Sequence, residues 1–152
     1  MRAAEFLIAF SHECGDPLSN LKLQKLLYYS QAWFLALYDK PLFDERIEAW
    51  VHGPAVPPVY GEFKKWTWQP IECEIDLPAL EKALEKHVQD HLTEVMDVYG
   101  VMSAYQLEKL THSEDPWKKA RNGIPLDEPS TAIITHEDMK QYYRSRLNGQ
   151  GN

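Results

Sequence analysis

The sequence predicts a mainly α-helical domain of the α+β class, with about six or seven helices and a small antiparallel sheet of two or three strands. Long stretches repeat apolar residues at the helical spacing, whereas a few short stretches alternate as strands do. The 152 residues suffice for a single domain with its own core. We place this domain at residues 1–147 and expect residues 148–152 to form a disordered tail.

The N-terminal quarter of the chain predicts two helices. Apolar residues share one face of a helix over residues 3–13, and Gly15 supplies its stop. Ser19 or Asn20 caps a second helix over residues 21–37, where apolar residues recur at the helical period. The apolar density of this second helix makes it the central element of the predicted domain.

The periodicity changes after Pro41. Residues 46–52 alternate in the manner of a strand, and Gly53-Pro54 ends that strand as a rigid turn. Adjacent prolines then open a short helix over residues 57–66, because proline is tolerated in a first helical turn. Residues 71–75 alternate again and predict a second short strand.

The C-terminal half begins with three predicted helices. A long helix covers residues 78–99. Ser103 and Gln106 form a capping box for the next helix, and Asp115-Pro116 opens a further short one.

A loop, a strand and a helix complete the predicted domain. Residues 122–130 have the composition of a loop, and Ile133-Ile134 adds a third strand. Thr135 and Asp138 approximate a capping box for a last helix over residues 137–147.

The charge of the chain bounds its partners. A formal net charge of −7 argues against nucleic acid, whose backbone requires a positive binding surface. Trp66 and Trp68 lie beside Lys64 and Lys65, a combination that can stack single-stranded bases. In so acidic a chain, a protein anchor or a packing contact is the favoured interpretation, and the surface favours capture of a basic partner.

Several features predict a cytoplasmic protein. Cys14 and Cys73 stand far apart and form neither a disulfide framework nor a metal-ligand pair. Charged Glu5 interrupts the N-terminal apolar run, which favours an amphipathic helix over a signal peptide. No apolar run approaches the ~20 residues of a membrane span, so we expect no membrane partner.

Two histidine clusters raise the question of catalysis. His87 and His91 lie one helical turn apart with Glu94 on the same face, as a zinc site requires. No further ligand is apparent, so solvated histidines beside a core stripe are favoured, and we expect no metal or other cofactor. His112 and Glu114 resemble an acid–base pair, but without a nucleophile a hydrogen-bond network at helix ends explains them better.

Two blocks, residues 21–60 and 110–121, combine large aromatic residues, Pro and Gly with isolated charges. Their residues and spacing resemble the Panacea-domain antitoxin family of bacterial and phage toxin–antitoxin loci, whose members are also known as phage-associated proteins. The resemblance extends from the first helix to Tyr143. The matching residues are Leu23-Gln24-Lys25-Leu26-Leu27-Tyr28, Trp33, Phe43, Glu48-Ala49-Trp50, Gly53-Pro54-Ala55-Val56, Tyr60, Leu110-Thr111-His112, Glu114, Pro116-Trp117 and Ala120-Arg121.

This resemblance implies an antitoxin that neutralises a cognate toxin, encoded nearby, by direct protein–protein binding and without chemistry of its own. At least one branch of the family instead acts as an adaptor that delivers its toxin to an ATP-dependent protease, which makes proteolytic delivery the first alternative. A metal-dependent hydrolase that uses the histidine clusters is the remote alternative.

The same blocks predict a partner-binding surface. We expect the Trp50–Tyr60 and Leu110–Arg121 segments to converge on one face around Tyr28, where aromatic anchors and a few charges engage the toxin. The candidate residues are Lys25, Tyr28, Trp50, His52, Tyr60, Trp66, His112, Glu114, Trp117 and Arg121.

Lys25 places a charge inside an apolar-rich helix block. Its amine can remain in water while its stem covers apolar surface. It can also pair with Glu48 or with Glu114 across the domain, and the sequence leaves these arrangements open.

Overall fold

The computed structural model describes residues 1–149, which form eight α-helices and a three-stranded sheet. The helices are α1 (Arg2–Glu13), α2 (Asn20–Tyr38), α3 (Pro57–Glu62), α4 (Leu77–Ala83), α5 (Lys86–Tyr99), α6 (Ala104–Ser113), α7 (Asp115–Arg121) and α8 (His136–Gly149). The strands are β1 (Ile47–Trp50), β2 (Gly53–Ala55) and β3 (Ile133–Ile134), paired antiparallel in the order β2-β1-β3. The predicted mainly α-helical fold with a small antiparallel sheet is confirmed.

Helix α2 is the centre of the fold. It packs against α1, α5, α6, α8 and β2, and the buried apolar cluster draws side chains from all eight helices. Its predicted cap is confirmed, since the Ser19 hydroxyl accepts a hydrogen bond from the Lys22 amide at 3.2 Å. Polar residues of α2 hold the neighbouring loops: the Gln31 side chain donates to the Phe43 carbonyl and accepts from the Leu42 amide, both at 2.7 Å.

A two-residue turn at Val51 and His52 reverses the chain between β1 and β2, with Trp50 opposite Gly53. The prediction that Gly53-Pro54 only ends a strand is therefore wrong, because these residues form β2 themselves. Gly53 has a φ of +112°, and a Cβ there would lie 3.1 Å from the Thr111 hydroxyl oxygen. Glycine is thus required where the hairpin passes α6.

Two other predicted elements differ from the structure. Residues 71–75 form no regular strand; the Ile71 amide donates to the Leu18 carbonyl at 2.7 Å, and no strand of the described chain pairs with the rest. The predicted long helix over residues 78–99 is two helices, because Leu84 adopts an extended conformation. The Gln89 side chain donates to the Leu84 carbonyl at 2.9 Å and so stabilises this break. Splitting this helix raises the number of helices above the predicted six or seven.

The C-terminal elements follow their local signals. Both bonds of the predicted capping box at Ser103 and Gln106 are present, and the Asp138 amide donates to the Thr135 hydroxyl at 3.1 Å. Helix α8 continues to Gly149, so the first two residues of the predicted tail are helical, while residues 150–152 lie outside the described chain. Across residues 1–149, no helix combines the length and the apolar character needed to cross a membrane.

Candidate functional site

The two aromatic-rich segments come together, as predicted. The Trp117 indole donates to the Trp50 carbonyl at 2.9 Å, and the Arg121 guanidinium donates to the Ala49 carbonyl at 3.1 Å. Trp117 and Arg121 are 1% and 2% exposed, respectively. Trp117 and Arg121 therefore attach α7 to β1 through the backbone carbonyls of that strand. They cannot contact a partner directly in this conformation.

His112, Trp117 and Arg121 form one stacked group. The rings of His112 and Trp117 lie 3.9 Å apart at 17°, and the Arg121 guanidinium carbon lies 4.8 Å from the Trp117 ring centroid. Arg121 also donates to the carbonyls of Pro125 and Glu128. The stack thereby folds the loop after α7 back towards the β-hairpin.

A groove opens beside this folded loop. It has a volume of about 320 Å³ and is bounded by α2, the β1–β2 hairpin, the start of α3 and the loop residues 129–131. Its lining residues are Leu21, Gln24, Lys25, Trp50, Val51, His52, Gly53, Pro54, Ala55, Tyr60, Pro129, Ser130 and Thr131. Four of the predicted site residues therefore share one concave surface. The other lining residues were not among the candidates. The loop follows no motif, and its position depends on distant contacts on both sides of it: Arg121 donates to the carbonyls of Pro125 and Glu128, and the Ala49 amide donates to the Ala132 carbonyl at 2.8 Å.

The aromatic side of the groove is held in place by hydrogen bonds. Trp50 and Tyr60 meet edge to face with ring centroids 5.1 Å apart, and both are half-buried. The Trp50 indole donates to the Glu48 carboxylate at 2.8 Å, and the second oxygen of that carboxylate accepts from Arg46 at 2.7 Å. The Asn20 side-chain amide donates to the Tyr60 carbonyl at 3.0 Å. These contacts order the two rings before any partner arrives.

Gln24 connects α2 to the hairpin. Its side-chain amide donates to the Asn20 side chain at 2.9 Å, and its carbonyl oxygen accepts from the Val56 amide at 2.7 Å. Both Asn20 and Gln24 are buried, and the side-chain oxygen and nitrogen of each have a hydrogen-bond partner inside the protein. The wall of the groove is therefore continuous with the central helix.

Lys25 ends at the buried side of the groove. It is 2% exposed, and its amine donates to the Leu21 carbonyl at 3.2 Å. Neither pairing that the sequence left open is formed, because Glu48 accepts from Arg46 and Trp50 whereas Glu114 lies in a separate cluster. The amine is not left in water either. Burial lowers the pKa of Lys25 to about 8, although Glu108 opposes this shift.

Glu114 and Tyr28 belong to a buried tyrosine cluster. One oxygen of Glu114 accepts from the hydroxyls of Tyr29 at 2.7 Å and Tyr143 at 2.8 Å, and the hydroxyls of Tyr28 and Tyr143 lie 3.0 Å apart. Burial raises the pKa of Glu114. Tyr28 is fully buried, so the prediction that the binding face is centred on Tyr28 is wrong. The two segments do meet, but the concave surface between them is centred on the groove.

The remaining candidates lie at or near the surface. His52 is exposed at the rim, where its ring nitrogen lies 3.3 Å from Glu108. His112 is partly buried in the stack, and burial lowers its pKa. Trp66 is half-buried in a short 3-10 helix, with the Lys65 amine 4.5 Å from its ring centroid. Direct binding by any of the ten candidates stays a prediction.

The histidine pair of α5 has a different arrangement from the predicted one. His91 is 7% exposed, and its Nε2 lies 2.9 Å from the Ser30 carbonyl, so it is not a solvated residue. His87 packs near the Phe34 ring. Within the described residues, no three His, Cys, Asp or Glu side chains are grouped as ligands of one metal ion.

A second apolar depression, of about 270 Å³, lies between α2, α5 and the end of α8. Leu37 and Val98 are 51% and 55% exposed there, and Trp33 and Leu147 also line it. This surface was not predicted from the sequence, because the residues that form it come from three separated helices. It lacks a buried charge comparable to Lys25.

Comparison with known proteins places these observations in context. Residues 23–118 match the family model described as antitoxin SocA-like, Panacea domain, a segment that includes every candidate residue except Arg121. A curated relative is Antitoxin SocA of Caulobacter vibrioides (strain NA1000 / CB15N), which is 32% identical over 121 residues. The alignment covers 70% of this chain and 62% of the relative, so the chain spans less than two thirds of the relative's length. No solved structure matches the chain.

Proposed function

The chain belongs to the SocA-like, Panacea-domain antitoxin family, and on that premise we propose that it neutralises a cognate toxin, encoded nearby, by direct binding through the groove. The observation that carries this proposal is the groove's construction. Two aromatic rings from Trp50 and Tyr60 are ordered beside a buried amine, on a surface open to solvent. Interface energy concentrates in such aromatic anchors and pockets.

Occlusion of the toxin requires a stiff surface more than it requires reactive groups. The groove's rings and loops are fixed by Glu48, Asn20, Gln24 and Arg121. A surface that is already ordered loses little conformational entropy on binding, which raises affinity without additional contacts. We assign the protein no chemical step, and we propose that it acts in the cytoplasm.

The groove also offers a basis for toxin choice. Its α2 and hairpin sides lie mostly within the segment that matches the family model, whereas the loop residues 129–131 lie beyond it. We propose that the loop side adjusts the surface to one toxin while the hairpin side supplies the common anchors. The net charge of −7 favours a toxin with a basic surface, because opposite charge accelerates encounter.

The proposal is tested by expressing the adjacent open reading frame alone and together with this chain. Growth arrest by the neighbouring product, relieved by the wild-type chain, is the expected result. A variant that carries both Trp50→Ala and Tyr60→Ala should fold but fail to relieve the arrest. Trp68→Ala is the matched control, because Trp68 is 75% exposed and does not line the groove.

The same experiment separates occlusion from proteolytic delivery. Under occlusion, the amount of toxin stays constant or rises when the chain is present, and the two proteins co-purify. A toxin half-life that shortens in the presence of the chain supports the adaptor function instead. Absence of toxicity from the neighbouring product, or arrest that the wild-type chain does not relieve, contradicts the proposal.

A further inference from the structure

We propose that Lys25 is a receptor for one carboxylate side chain of the toxin, an Asp or Glu residue that enters the groove beside Trp50 and Tyr60. This inference rests on the proposed function and specifies its chemistry. The toxin's acidic residue would form an ion pair with the Lys25 amine while its neighbours in the toxin pack against the two rings.

The Lys25 amine is buried and has fewer partners than it can bind. Lys25 is 2% exposed, and within residues 1–149 its Nζ has one hydrogen bond, to the Leu21 carbonyl. No carboxylate oxygen of the described residues lies within 4.0 Å of it. An ammonium group can donate several hydrogen bonds, and a buried charge is unfavourable unless it is paired. The Lys25 amine can therefore donate further hydrogen bonds to a group of a partner.

Two titratable side chains of α6, Glu108 and His112, face the Lys25 amine. Glu108 of α6 is the carboxylate whose charge acts most on the amine, but its own ion pair is with His52. His112 of α6 also faces the amine, and an imidazole ring is either neutral or positively charged, so it supplies no negative charge. An incoming carboxylate thus meets an amine that Glu108 influences through its charge but that no carboxylate of the described residues pairs with directly.

The shape of the groove also suits an inserted side chain of a partner. Lys25 lines the groove of about 320 Å³, a volume within the range of roughly 300–1,000 Å³ typical of small binding pockets. The end of the lysine lies against Gly53, since a Cβ there would be 3.4 Å from Cε of Lys25. A partner packed against the rings of Trp50 and Tyr60 would exclude water from the groove, which would strengthen an ion pair formed beside them.

A basic toxin and a buried acidic contact are compatible. The overall charge of −7 acts at long range on the encounter rate, whereas Lys25 acts only on a residue inserted into the groove. A toxin that lacks a correctly placed acidic residue would leave the amine desolvated without a partner. This penalty would discriminate against toxins of other loci.

The test measures the affinity of the neighbouring gene's product for the wild-type chain and for Lys25→Met, which keeps an apolar stem and removes the charge. We expect the dissociation constant to rise by at least about tenfold. Lys22→Met is the control, because Lys22 lies on the same helix but donates to the Gly100 carbonyl at 2.6 Å, outside the groove. Thermal unfolding of both variants verifies that each is folded.

A double-mutant cycle identifies the partner group. Each Asp of the toxin is changed to Asn and each Glu to Gln, and the products are titrated with wild-type protein and with Lys25→Met. One substitution should weaken binding to the wild type by about tenfold and have little effect on the Met variant. Wild-type affinity should also fall as the pH rises through 8, where the Lys25 amine loses its proton.

The outcomes distinguish the inference from the function on which it rests. If the wild-type chain does not bind the neighbouring product, the proposed function fails. If it binds but Lys25→Met binds equally well, or no acidic substitution is coupled to Lys25, the carboxylate receptor is overturned while the function stands. If Lys25→Met does not fold, the acidic scan is repeated with the wild-type chain below and above pH 8: the effect of the one sensitive acidic residue should diminish as the Lys25 amine loses its proton, and an effect that does not change with pH overturns the receptor.

Discussion

Glu114 and Lys25 are both buried charges, but they differ in where their partners come from. Glu114 accepts hydrogen bonds from two phenols of the same chain, at 2.7 and 2.8 Å. Lys25 has one backbone carbonyl at 3.2 Å and adjoins a groove open to solvent. A charge whose partners are internal stabilises the fold, whereas a charge without them marks a place where a second molecule can supply the missing group.

Helix α2 contributes to both environments. Tyr28 and Tyr29 lie one helical turn after Lys25 on the same face of the helix, but their hydroxyls enter the tyrosine cluster whereas Lys25 lines the groove. Successive turns of one helix therefore serve the core and the binding surface. Similarity in the motif alone does not distinguish the two roles; the hydrogen-bond partners do.

The largest effect is expected from removing the internally satisfied charge. Glu114→Ala leaves the hydroxyls of Tyr29 and Tyr143 without their acceptor, and it should lower the free energy of unfolding by about 3–4 kcal/mol. Urea denaturation measures this loss. Glu114→Gln keeps an acceptor oxygen in the same place and should cost less than half as much. Equal stability of the Ala and Gln variants would show that the cluster is not held by these hydrogen bonds.

The buried Lys25 amine, which lacks an internal carboxylate partner, should make the free energy of unfolding depend on pH. The pKa of Lys25 is about 8 in the folded protein, against 10.5 as its ordinary value. Between these values the unfolded chain binds more protons than the folded one, so the free energy of unfolding should increase with pH, by at most about 3 kcal/mol. Denaturation at pH 7.5 and 9.5 measures the gain, with Lys25→Met as the reference that lacks it. A wild-type gain no larger than that of the Met variant contradicts the buried, unpaired state of the amine.

Replacement of the aromatic anchor should affect binding more than folding. Trp50→Ala removes a half-buried ring from the groove, and it should weaken toxin binding by about 2 kcal/mol. Isothermal titration calorimetry gives this value, and Trp68→Ala should leave the affinity unchanged. If the Trp50 variant loses stability but keeps its affinity per folded molecule, the ring belongs to the fold alone.

Substitution of His52 at the rim of the groove should have the smallest effect on toxin affinity. The His52 side chain is 63% exposed, and its pair with Glu108 is solvated. His52→Ala should therefore change the affinity by no more than about 0.5 kcal/mol and should mainly alter the association rate. Stopped-flow association at low and high salt separates the two quantities. A loss as large as that of Trp50→Ala would move the centre of the interface from the groove to its rim.

Much of the fold followed from local sequence signals. Ser19 and the Ser103–Gln106 pair identified two helix starts because caps act within one turn of chain. The predicted strand at residues 71–75 failed for the opposite reason, since a strand requires a partner. Its alternation is nevertheless visible in burial, because Ile71, Cys73 and Ile75 are less exposed than the glutamates between them.

The site was predictable only in part, because its geometry depends on distant contacts. The meeting of Trp50 with Trp117 agreed with the predicted convergence of two segments. The position of Tyr28 and the missing partner of Lys25 could not be deduced from spacing, since both depend on which helices pack against α2. The loop residues 129–131 carried no signal of their own, because the bonds of Arg121 before them and the pairing of β1 with Ala132 and β3 after them determine their position.

Hydrogen–deuterium exchange can test directly whether the toxin occupies the groove, as we propose. Exchange would be measured for the chain alone and with the neighbouring gene's product at saturating concentration. We expect slower exchange at residues 51–56 and 129–131, with little change along the apolar depression between α2, α5 and α8. Protection confined to that depression, with unchanged exchange around the groove, would contradict this proposal.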